Sequence, residues 1–126
     1  MAIKVTEANR DNYVAALIQA VEEIKNRKMV YIAHPFGGEK ENVEKVEKII
    51  KGLLHKHPDC TFYSPLHATG FMYSQLTYLD GMEHCFEVLS RCDELWLCGS
   101  WQDSRGCNME YGYAKAKGIP VKFINN

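Results

Sequence analysis

The chain has 126 residues, 46% of them apolar and 25% charged, with a formal net charge of -1. This length and balance predict one domain spanning 1–126, with a core of ordinary size. Acidic and basic residues are interspersed, so neither a nucleic-acid-binding stripe nor a disordered acidic tail is expected.

The opening residues, MAIKVTEANR, lack the apolar stretch of a secretory leader. No apolar run approaches the roughly 20 residues that span a bilayer, so no membrane contact is expected. The five cysteines, Cys60, Cys85, Cys92, Cys98 and Cys107, are odd in number and show no CxxC spacing. They predict a reduced, cytoplasmic setting rather than a disulfide framework.

In chain order, Tyr13, Leu17, Ala20, Val21 and Ile24 recur at helical spacing, predicting a helix from about Asn9 to Arg27. It makes residues 1–28 a helical extension ahead of the main pattern. MVYIA (29–33) is a short apolar strand halted by His34-Pro35. ENVEKVEKIIKGLLHKH (41–57) is an amphipathic helix with Val43, Val46, Ile49, Ile50, Leu53 and Leu54 on one face. CTFYS (60–64) is a strand halted by Pro65. Leu79 to Arg91 reads as a helix with Met82, Phe86 and Leu89 turned inward. ELWLC (94–98) is a strand halted by Gly99, 105–117 a helix closed by Gly118, and PVKFI (120–124) a last strand. Short apolar strands alternating with amphipathic helices predict an α/β fold. It is doubly wound, Rossmann- or flavodoxin-like, with about four parallel strands and helices on both faces.

Ligands of such sheets bind beyond the carboxyl ends of the strands. Three segments of distinctive chemistry fall there: His34-Pro35-Phe36-Gly37-Gly38; Ser64-Pro65-Leu66-His67 with the aromatic stretch 70–78; and Gly99 to Gly106. The glycine turn at 34–38 suits backbone approach to a phosphate or sugar. Taken alone it also reads as a plain βα turn. Ser104 stands where an N-cap belongs, ahead of Arg105 and Gly106, and the free N–H groups there favour an anion. Taken alone, it reads better as a simple cap. Glu110 lies in the second turn of the same helix, beside a face formed by Met109, Gly112, Tyr113 and Ala116. Its side chain leans back toward the strand ends.

Cys107 near a helix N-terminus suits a thiolate. Cys98 and Arg105 are too far apart in sequence for a phosphatase loop. His55, His57 and Cys60 end a helix away from the strand C-termini, so no metal site is expected.

With VYIAHPFGG (30–38), RCDELWLCG (91–99) and Ser104-x-Gly106-x-x-x-Glu110 before YGYAKAKGIPV, the chain resembles the nucleoside 2-deoxyribosyltransferase-like superfamily. This superfamily includes nucleoside 5′-monophosphate N-glycosidases. The resemblance covers about Met29 to Ile124. It implies Glu110 as nucleophile, Tyr31 as its positioning partner, and Ser104 at the sugar or its phosphate. Asp80 would assist the base, and Phe36, Trp101 and the 70–78 loop would stack on it. His34, Pro35, Gly37, Gly38, His67 and Gly106 complete the expected substrate-binding set. The implied activity is cleavage or transfer at the base–sugar bond of a nucleoside or nucleotide, with no cofactor, in a homo-oligomer. A binding or sensing module using the same pocket without turnover is the alternative.

Overall fold

A computed structural model describes residues 4–22 and 27–125 of the chain. Among these, four strands form one all-parallel sheet: β1 (Lys28–Ala33), β2 (Cys60–Tyr63), β3 (Glu94–Cys98) and β4 (Val121–Ile124). Their order is β2-β1-β3-β4, with Tyr31 opposite both Tyr63 and Leu95. The fold is thus the expected doubly wound α/β type. The helices are α1 (Arg10–Glu22), α2 (Lys40–Lys56), α3 (Pro65–Thr69), α4 (Tyr78–Leu89) and α5 (Arg105–Lys117).

Strand alternation sorts the core into two layers, because successive side chains leave opposite faces of a sheet. Val30 and Ile32 of β1 join Trp96 and Cys98 of β3 against Val46 and Leu53 of α2 and Leu66 of α3. Tyr31 and Ala33 join Leu95 and Leu97 against Leu89 of α4 and Cys107 and Ala114 of α5. The two central strands are therefore apolar on both sides, as a covered parallel sheet requires. At their amino ends, Lys28 pairs with Glu94 at 2.5 Å. Glu94 also accepts from the Trp96 indole at 2.9 Å. Burial and two donors thus clasp this end of the sheet, away from the strand ends that bind ligands.

Several element details differ from expectation. Ser64-Pro65 opens a helix, α3: Pro65 occupies its first position and Ser64 accepts from the His67 N–H. The aromatic stretch continues as a 3-10 turn over Gly70–Gln75 rather than a plain loop. Leu54 was expected on the inner face of α2 but is exposed. Leu53 is the buried residue of the last turn, and the helical phase sets its neighbour Leu54 toward solvent. The expected inner face of the first helix, Tyr13, Leu17, Ala20 and Val21, buries nothing, since α1 has no buried residue. Ile24 and the end of that expected helix lie outside the described residues. Among those described, no helix is long and apolar enough to cross a membrane.

Candidate functional site

At the centre of the sheet, β1 runs into α2 on one face while β3 runs into α5 on the other. Diverging connections leave a crevice at the carboxyl ends of such a pair. Here it is a cleft of about 640 Å³. Its walls are the β1–α2 loop, the 3-10 turn, the inner side of α4 and the first two turns of α5. The β1–α2 loop turns tightly through Gly37 and Gly38, whose φ angles of 59° and 77° suit glycine alone without strain. Asn42 holds this loop by donating from Nδ2 to the Phe36 carbonyl at 2.9 Å. The Phe36 and Tyr73 rings meet edge to face, with centroids 5.0 Å apart, and give the cleft an aromatic wall.

Glu110 reaches this cleft from α5. It does not border the helix's buried face but lies at its centre. Cys107, Glu110 and Ala114 are the buried residues of α5, whereas Gly112 and Ala116 are exposed and Met109 and Tyr113 only half-buried. The expected face was displaced because small residues and a carboxylate occupy the true one. Glu110 is 5% exposed and Tyr31 is fully buried beneath it. The Tyr31 phenol donates a hydrogen bond to Oε2 of Glu110. Burial and the nearby Glu110 charge hold the Tyr31 hydroxyl well above its ordinary range, so it stays a donor. Burial pushes the Glu110 carboxyl up to about 7, while the Tyr31 hydrogen bond pulls it down. The carboxylate is therefore shielded from water on its protein side yet open toward the cleft.

Ser104 caps α5, its Oγ accepting from the Cys107 N–H at 3.2 Å. Asn108, which the sequence did not single out, clamps the preceding turn. Its Nδ2 reaches the carbonyls of Gln102 at 2.9 Å and Ser104 at 2.8 Å. Arg105 lies over the Tyr78 ring, 3.9 Å from its centroid, and both line the cleft. Gly106 follows in the lining, so the cleft meets the start of α5, where the first N–H groups of a helix have no partner within it. Cys107 carries no thiolate: burial pushes its thiol up to about 12, outweighing the helix N-terminus.

Of the expected binding residues, His34, Pro35, Phe36, Gly37, Ser104 and Gly106 line the cleft with Glu110. Four do not. Gly38 lies behind the aromatic wall, where a Cβ would meet the Tyr73 ring at 3.3 Å. Asp80 is exposed in the first turn of α4. The helical phase turns Tyr78, Gly81, Met82 and Cys85 inward instead. His67 faces the neighbouring groove, bonded to Ser64 Oγ at 2.7 Å and Glu47 at 2.9 Å. Trp101 packs on Tyr111 and Phe123, with centroids 5.5 Å and 5.4 Å away, because β4 offers it an aromatic neighbour. Tyr31 touches the site only through Glu110. Met72 of the expected 70–78 stretch also lines the cleft; His84 and Cys85 line it without having been anticipated, and Asp103 lies in the expected 99–106 segment without having been singled out. Helical phase pointed to Cys85 once Met82 was turned inward, but no local pattern marked Asp103.

Among the described residues, no group of three or more His, Cys, Asp or Glu side chains is arranged to hold a metal ion. His57 instead packs its ring edge on Trp96, centroids 4.9 Å apart.

Comparison with curated proteins and with solved structures gave no match. A family model described as a domain of unknown function (DUF4406) matches residues 28–123. That span begins at the first residue of β1, ends within β4 and omits α1, and by it the chain belongs to the DUF4406 family.

Proposed function

We propose that the protein cleaves or transfers the base–sugar bond of a nucleoside or nucleoside 5′-monophosphate, with Glu110 as nucleophile. The observation that carries this reading is the pairing of a buried, cleft-facing carboxylate with a buried phenol donor. Tyr31 occupies Oε2 and fixes the carboxylate's orientation, leaving the other oxygen for the substrate. An Oε1 lone pair forms a bond to the anomeric carbon as the C1′–N bond breaks, and the electron pair leaves with the base. The base takes up a proton from water or from a carboxyl group bordering the cleft. Water or a second base then attacks the same carbon, gives up its proton to solvent or to that group, releases the Glu110 carboxylate and leaves the anomeric configuration retained.

The surroundings support that assignment. The first turn of α5 and Arg105 offer positive potential to a 5′-phosphate beside the nucleophile. The Phe36–Tyr73 wall offers a planar base an apolar, π-rich surface. Asp80 is withdrawn as the acid for the departing base. Among carboxyl groups, Glu39 and Asp103 border the cleft and are the better placed.

The exposed position of Asp80 favours one second reading, a module that binds nucleotides without cleaving them. A panel of deoxynucleosides and their 5′-monophosphates separates the two. Release or exchange of free base, lost in Glu110→Gln, is the result expected here. Tight binding without any base release would transfer the assignment to the binding module.

A further inference from the structure

His34 ends β1 at the inner limit of the cleft and is 7% exposed. Its Nδ1 lies 2.8 Å from the Pro35 carbonyl oxygen. A carbonyl can only accept, so the ring proton sits on Nδ1 and Nε2 carries a lone pair. Burial also lowers the imidazole's proton affinity, which keeps the ring neutral. Nε2 is therefore a fixed acceptor, and no group among the described residues donates to it. Gly99, across on β3's end, is what leaves it uncovered. A Cβ built there would fall 2.7 Å from Nε2, and the residue's φ of 62° already disfavours any side chain. Among the described residues no buried side-chain polar atom is left without a partner, so this Nε2 meets solvent from the cleft, and a ligand donor can take the place of that water.

Resting on the nucleosidase reading above, we propose that the site selects an amino-substituted nucleobase, whose exocyclic amine donates to Nε2 of His34. With the anomeric carbon at Glu110, the base extends along the wall that Phe36 forms two residues beyond His34. An amine projects past the ring edge and reaches a recessed acceptor, whereas an exocyclic carbonyl in the same place sets lone pair against lone pair. A sugar hydroxyl offers the same donor chemistry, and the test separates the two sources.

Binding is measured with the Glu110→Gln protein, which retains the shape of the site without turnover. Deoxyadenosine and deoxycytidine are expected to bind on the order of tenfold tighter than deoxyinosine and deoxyuridine, the worth of one matched hydrogen bond. His34→Phe should erase that preference. Because a buried substitution can impair folding, the ¹⁵N signal of the His34 ring in the Glu110→Gln protein serves as an independent readout. Nε2 should be unprotonated in the free protein and should shift on adding adenine or cytosine, but not on adding 2-deoxyribose. Equal or reversed preference, a protonated Nε2, or a shift driven by 2-deoxyribose would each overturn the proposal. If the wild-type protein cleaves nothing while the preference and the shift persist, the catalytic reading falls and this inference stands. Cleavage without base preference overturns this inference alone.

Discussion

Glu110 and Tyr31 form a unit whose two members do different work. Tyr31 never reaches the cleft, so its substitution should act through the carboxylate. Tyr31→Phe removes a hydrogen bond to a charged acceptor, and a loss of roughly ten- to a hundredfold in kcat/KM is expected. It should also move the rising limb of the pH–rate profile upward, since that bond favours the ionised carboxylate. In the wild-type protein the limb should lie near pH about 7, where Glu110 ionises. A limb that stays in place in Tyr31→Phe would show that another group sets it.

The same carboxyl has a stability signature. Its folded-state value is raised above the ordinary 4.5. The native state therefore holds the proton more tightly than the unfolded chain, and stability is lost as pH rises through about 7. Glu110→Gln removes that loss. Thermal melts should show the variant gaining on the wild type at pH about 8, by up to about 3 kcal/mol, with the gain vanishing near pH about 4. A pH-independent difference would mean that burial of the charge is not what matters at this position. Individual residues such as Glu110 could be read from the chain because their spacing from Ser104 is local. The partnership with Tyr31 came only from the resemblance, since 79 residues separate the two.

At the level of elements, α5 carries the site and its amino end is the sensitive point. Ser104→Ala removes the cap on the Cys107 N–H and should cost about 1 kcal/mol in denaturant unfolding. An unchanged unfolding midpoint would show that Asn108 alone secures the turn. The boundaries of α5 and β3 were plain in the sequence because glycines, a cap and the apolar run Leu95 to Cys98 mark them. The inner face of α5 was misjudged, because a buried face of Cys107, Glu110 and Ala114 is not a hydrophobic stripe. The same limit explains Asp80, His67 and Trp101. Each sits in a correctly located segment, but the phase of α4 turns Asp80 outward, and partners distant in sequence set the direction of the others, Phe123 for Trp101 and Glu47 for His67.

Across the whole molecule, the alternation of strands and helices was enough to give the doubly wound sheet, and the sheet was enough to place the cleft. What no local pattern revealed was how little α1 shares in this. It buries none of its residues and keeps Val14, Leu17, Ile18 and Val21 between 42% and 59% exposed. A chain beginning at Glu23 should therefore unfold within roughly 0.5 kcal/mol of the full-length protein. A larger loss in chemical denaturation would show that α1 is covered in solution by something it stabilises.

The central claim is that Glu110 bonds to the sugar. Its most direct test is mass spectrometry of the intact protein after incubation with nucleosides bearing a 2-fluoro-2-deoxyarabinosyl group, whose fluorine slows breakdown of the glycosyl intermediate. The account predicts a mass increase of one fluorosugar, mapped to the α5 peptide containing Glu110 and absent in Glu110→Gln. Release of base from natural substrates by Glu110→Gln at the wild-type rate, with no adduct on either protein, would contradict it.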